Sequence, residues 1–146
     1  MTERVDFYVL KRADAKARNL FACRLAEKAY LAQYQVLMLT DDESHARVLD
    51  DLLWTFNDDS FVPHAVCHRG DPVDPLTPVY IGTDPGAAIR PDLVLNMAGS
   101  APDSLQRFAR IAEIIDADEE RKRLGRDRFK TYRDAKITLE THQLDE

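Results

Sequence analysis

The chain has 146 residues, a formal charge of −6, two cysteines, and 45% hydrophobic against 32% charged residues. That length suits one hydrophobic core, so a single domain over residues 1–146 is expected. The acidic balance argues against a general nucleic-acid coat, whose affinity comes from neutralising many phosphates, and no run approaches the roughly eighteen apolar residues of a membrane helix. The opening MTERVDFYVL begins with charges and lacks a signal-peptide pattern, so a soluble, cytoplasmic protein is expected. Cys23 and Cys67 stand far apart, outside CxxC or zinc spacing, and read as reduced thiols and not as metal ligands.

In chain order, Val5 to Leu10 (VDFYVL) is apolar, aromatic and β-branched and reads as a first strand. A helix is expected from about Ala15 to Gln33, with Phe21, Ala22, Leu25, Ala26 and Ala29 on one arc and Arg24, Glu27 and Lys28 on the other. Val36 to Leu39 is wholly apolar, as in a parallel strand buried on both faces. Thr40 and Glu43 are spaced as a capping box that opens a helix to about Trp54. From Asn57 to Pro91 prolines and glycines concentrate, leaving short extended pieces at Ala65 to Cys67 and Val79 to Ile81. A strand at Leu93 to Leu95 follows. Leu105 to Ile115 reads as a helix with Leu105, Phe108, Ile111, Ala112 and Ile115 on one stripe, then a charged helix from about Glu119 to Ala135, and ITLETHQL as a last extended segment. This alternation implies an α/β fold in three layers, a mostly parallel sheet with helices on both faces.

Motifs for catalysis do not assemble. GTDPGAA at Gly82 to Ala88 is neither GxGxxG nor a P-loop, and KRADAKAR after the first strand has no glycine, so no nucleotide cofactor is expected. His45, His64, His68 and His142 stand in no triad or metal spacing, and Ser60 lies in no nucleophile elbow. Asp41, Asp42 and Glu43 fit helix capping better than acid–base work.

Two stretches stand apart. Trp54, at a helix end, is followed by the run Phe61-Val62-Pro63-His64, and this spacing fits either a core lid or an exposed aromatic anchor. Arg121 to Lys136 holds eight Lys or Arg against two Asp, a local +6 that leaves −12 for the rest of the chain. Plotted at about 100° per residue, Lys122, Arg126, Phe129 and Arg133 share one stripe while Leu124, Tyr132 and Ala135 lie opposite as the core side. On this plot Phe129 is not needed by the core. Cations around a ring suit a ligand with a carboxylate beside an apolar group, or nucleic acid through phosphate contacts and stacking.

VDFYVL, ACRLAEKAY, VLMLTDDESHARVLDDLLW, SFVPHAV and RDRFKTYRDA together resemble the chi subunit family of bacterial DNA polymerase III, a non-catalytic part of the replicase's clamp-loader assembly. The resemblance implies a Rossmann-like fold without nucleotide chemistry, no cofactor and no intrinsic enzymatic activity. It implies one face around Trp54 and Phe61, with Val62, Pro63 and His64, that binds the psi subunit or an iron–sulfur helicase. It implies a second at Lys122, Arg126 and Phe129, with Ile115 nearby, that receives the acidic C-terminal tail of single-stranded-DNA-binding protein, ending in a Pro-Phe carboxylate; Arg133, on the same plotted stripe, is expected to join it. DNA would be reached only through that protein, and the isolated chain is expected to be a monomer. Two features depart from the family: Phe129 stands where tyrosine is common, and Gly125 interrupts the basic helix. The competing readings are a small nucleotide-using α/β enzyme and a direct single-stranded DNA binder.

Overall fold

The computed structural model describes residues 2–67, 74, 76–83, 91–102 and 108–144. β1 (Arg4–Val9) leads into α1 (Ala15–Leu31), and β2 (Val36–Leu39) into α2 (Glu43–Thr55). β3 (His64–Val66), β4 (Val79–Gly82), β5 (Leu93–Asn96) and β6 (Arg110–Ile115) follow, and α3 (Glu119–Asp134) leads to β7 (Thr138–Gln143). Among the described residues the strands form one sheet in the order β3-β4-β2-β5-β6-β1-β7, with every pairing parallel. β2, β4 and β5 are buried along their whole length, as parallel strands covered on both faces must be.

One face is covered by α1 and α2, where Ala22, Ala26, Leu49 and Leu53 pack with Met38, Ile81, Leu95 and Ile114. The other is covered by α3, where Tyr132 and Phe129 pack with Phe7, Leu37, Val94, Ile111 and Ile115. This is the three-layer, Rossmann-like arrangement expected from the sequence. Each helix begins at the edge where the parallel strands end and runs back toward the edge where they begin.

The helix starts share one device. Asp14, Asp42 and Asp118 each turn a carboxylate onto backbone N–H groups of the first turn. Asp42, and not Thr40, is therefore the cap of α2; the Thr40 hydroxyl donates to the Asp42 carbonyl instead. At their C-termini α1 and α3 end in Schellman turns with Gln33 (φ 69°) and Lys136 (φ 62°) in the left-handed region.

Residues 110–115 correct the sequence reading. They form a strand between β5 and β1, not the end of a helix, and Leu105 lies outside the described residues. The physical reason is Glu113. In the run Arg-Ile-Ala-Glu-Ile-Ile it looks like the solvent-facing position of an amphipathic helix, yet it is 0% exposed because α3 supplies its partners.

Candidate functional site

An apolar groove of about 200 Å³ lies between α3 and the ends of β1 and β6, lined by Phe7, Val9, Ile115, Gly125, Phe129 and Thr141, with Lys122 and Arg126 at its rim. The structure thus brings together Lys122, Arg126, Phe129 and Ile115 of the residues singled out above. Arg133 is not part of the groove; it lies exposed farther along α3, 3.5 Å from Asp134. Lys122 is only loosely engaged, 3.9 Å from Glu119, and Arg126 pairs with no carboxylate among the described residues.

The core side of α3 also differs from the plotted one. Its buried residues are Gly125, Arg128 and Tyr132, whereas Leu124 is half-buried and Ala135 is exposed. Phe129 consequently falls on the boundary between core and cations. Its ring packs 5.3 Å from that of Phe7, so the core does use it, and its remaining surface forms the groove wall.

The cause of this rotation is an ion pair that the sequence disguised as surface charge. Arg128, 4% exposed, donates from Nε to Glu113 Oε1 (2.9 Å), while Tyr132 Oη (2.6 Å) and Asn96 Nδ2 (2.8 Å) donate to Oε2. Burial pushes the Glu113 carboxyl above its usual range, opposed by the Arg128 charge and by hydrogen bonds from Tyr132, Asn96 and Arg128. The Tyr132 hydroxyl is pushed well up by burial and by the Glu113 charge, so it remains a donor. Arg128 Nη1 also donates to the Gly99 carbonyl (2.9 Å), tying α3 to the segment after β5.

At the strand ends, where open α/β sheets commonly bind ligands, a crevice of about 450 Å³ separates α3 from α1 and α2. Most of its charged groups are engaged within the chain. Arg121 makes a bidentate pair with Asp116 (2.7 and 2.6 Å), and Asp41 accepts from the Gly99 N–H (2.9 Å). Arg18 is buried against the carbonyls of Ile114 (2.8 Å) and Met97 (3.4 Å). Burial, with Arg128 and Arg121 nearby, pushes its guanidinium down to about 10. His45 lies 2.8 Å from Asn19, its pKa lowered by burial and by Arg18. The Asp caps occupy the helix N-termini that a phosphate would use. Among the described residues no group of His, Cys, Asp or Glu could hold a metal ion. Burial pushes the Cys23 thiol up to about 12. His68 and residues 84–88 lie outside the described residues.

The aromatic segment sits at the opposite edge of the sheet, because α2 ends where the strands begin. Trp54 is 56% exposed and Phe61 63%, their rings 5.7 Å apart. Val62 points elsewhere, 1% exposed and part of the core, and Pro63 is half-buried. The His64 ring packs beneath Trp54, centroids 4.7 Å apart, and is itself fully covered, 2.6 Å from the Val62 carbonyl and 3.0 Å from Asp50. Phe61 and Val62 thus face opposite ways on the approach to β3. Sequence reasoning missed Leu31. It is 71% exposed and lies one turn beyond Glu27, which accepts a hydrogen bond from the Ser60 hydroxyl and so brings α1 beside Phe61.

These features define a Rossmann-like α/β domain whose strand-end crevice is lined by charged side chains engaged within the chain and whose apolar groove lies beside it, along α3. The chain belongs to the DNA polymerase III chi subunit family, whose model, "DNA polymerase III chi subunit, HolC", matches residues 1–140. It is 36% identical to DNA polymerase III subunit chi of Pseudomonas aeruginosa over 97% of this chain and 96% of that one. It is 28% identical to the subunit of the same name in Escherichia coli K12, over 82% and 80% of the two chains. The subunit of Haemophilus influenzae is also 28% identical, over 91% and 92%. A solved structure of S. cerevisiae Dbp5 bound to Gle1 and IP6 superposes with a TM-score of 0.64 at 13% identity, covering 98% of this chain and 42% of that one, a likeness of fold alone. Family membership gives the chain an accessory role in the bacterial replicase.

Proposed function

We propose that this chain is a non-catalytic adaptor of DNA polymerase III that holds the acidic C-terminal tail of single-stranded-DNA-binding protein in the α3 groove. A psi subunit, or an iron–sulfur helicase, is held on the Trp54 and Phe61 face. The observation that carries the reading is the groove itself: an apolar floor of Phe7, Ile115 and Phe129 beneath two weakly engaged cations, Lys122 and Arg126. A peptide ending in an aromatic residue presents a ring and a carboxylate side by side, which matches that pairing of surfaces. The two faces lie on opposite layers and at opposite edges of the sheet, so both partners can be bound at once.

Titration of a fluorescent acidic peptide ending in Pro-Phe tests the reading. Arg126→Ala should weaken it about tenfold, the low end of the value of a hydrogen bond to a charged group, at ~1.5 kcal/mol, with an unchanged melting temperature. Binding should also fall as salt rises, since exposed charges are screened over about 8 Å at physiological ionic strength. A scrambled peptide of equal charge that binds as tightly would overturn this account in favour of direct polyanion binding.

A further inference from the structure

Gly125 is placed in the middle of α3, where a glycine lowers helix stability relative to alanine, and no turn or left-handed backbone requires it. What requires it is Ile115. A Cβ at position 125 would stand 2.4 Å from Ile115 Cδ1 and 3.2 Å from Cγ1, distances at which the isoleucine must move. Both residues line the groove, and Ile115 is 8% exposed with the α3-side core behind it. A close-packed interior gives a displaced methyl no room. The open direction is the groove.

We propose that Gly125 and Ile115 are a matched pair that sets the depth of this groove, making room for one aromatic ring and so selecting an aromatic over a short terminal residue in the bound peptide. The inference rests on the tail-binding reading and names the specificity of that site. The groove, at about 200 Å³, exceeds the roughly 150 Å³ of an apolar cavity known to take up benzene, so one ring fits with a narrow margin. An alanine at 125 pushes the isoleucine methyl into that margin. Valine at 115 lacks the δ-methyl and restores it.

The test compares wild type, Gly125→Ala, Ile115→Val and the double variant against acidic peptides ending in Phe or in Ala, by fluorescence anisotropy. Thermal melts establish that each variant is folded. Gly125→Ala should weaken the Phe-ended peptide about tenfold and the Ala-ended one less than about twofold, the scale of one methyl group in an apolar pocket. The double variant should recover most of the loss. Equal weakening of both peptides, or no recovery in the double variant, overturns the pairing. A second arm needs no peptide: nuclear Overhauser contacts from the Ile115 δ-methyl to the Phe129 ring should strengthen in Gly125→Ala, and an unmoved methyl refutes the displacement. If the wild type binds neither peptide the tail reading fails, and 3-phenylpropanoate against propanoate, followed by the shift of the same methyl, decides whether the groove still prefers a ring.

Discussion

Replacing Glu113 by Gln keeps the shape of the side chain and removes its charge, which isolates what the buried pair contributes. In the native chain Arg128 is 4% exposed, and among the described residues its guanidinium has one carboxylate partner, Glu113, at 2.9 Å, and one carbonyl, Gly99, at 2.9 Å. With glutamine at 113 the cation stays buried with only carbonyl-type acceptors, and Tyr132 and Asn96 lose a charged one. Breaking a buried pair from one side costs about 3–5 kcal/mol. Against a total stability of about 5–15 kcal/mol this is a large fraction, so Glu113→Gln should shift the urea midpoint far down at an unchanged m-value. Removing both charges, as in Glu113→Gln with Arg128→Met, should cost less than Glu113→Gln alone, because no buried cation is then left uncompensated. A single-variant cost below about 1 kcal/mol, or a double variant that costs the sum of the singles, would refute the reasoning.

Other changes have expected outcomes. The Asp116 carboxyl is raised by burial but lowered more by Arg121 and by the Asp118 and Asp14 N–H groups, and ends below its ordinary 3.8. Its pairing therefore stabilises the fold above that value and is lost as pH falls through the lower folded one; Asp116→Asn should cost about 2 kcal/mol at pH 7 and flatten acid unfolding below pH 4. Lys136→Gly relieves the left-handed backbone at φ 62° and should stabilise by about 0.5–1 kcal/mol in urea titrations. Phe61→Ala should change stability by no more than about 0.5 kcal/mol, since the ring is 63% exposed, and yet weaken the psi or helicase partner by about 2 kcal/mol in calorimetry if the ring anchors it.

What was legible in the sequence follows from how much of each segment's environment is local. β2, β4 and β5 are short apolar runs between turn residues and lie within a residue or so of their expected bounds, and α1 shows its amphipathic arc plainly. β6 was misread because Glu113 and its partner Arg128 lie fifteen positions apart, and neither reveals by itself that it is buried. The same distant pair turned the buried side of α3 toward Gly125 and Arg128, so Phe129 was placed on the cation stripe when it stands on the core boundary. The helix C-termini carried no glycine signal, because Gln33 and Lys136 adopt the left-handed conformation without one. Sequence spacing likewise could not assign inward and outward residues in Phe61-Val62, which lie in the connection before β3 and have no strand or helix period to read.

The concentration of positive charge near the C-terminus is in large part a feature of the fold. Arg121 holds Asp116 and Arg128 holds Glu113, while Arg123 spans Glu120 and Asp127 along the helix surface. What distinguishes Lys122 and Arg126 is the apolar floor beside them and not the number of cations around them. An exposed ion pair is worth about 0–1 kcal/mol, because water screens it. In the proposed complex the ring covers Phe129 and Ile115, the carboxylate beside it is partly withdrawn from water, and the same charges at the same distance attract it more strongly. On that proposal, two cations beside an apolar floor discriminate a peptide with a terminal ring from an arbitrary polyanion, which a dense but solvated block of charge cannot do.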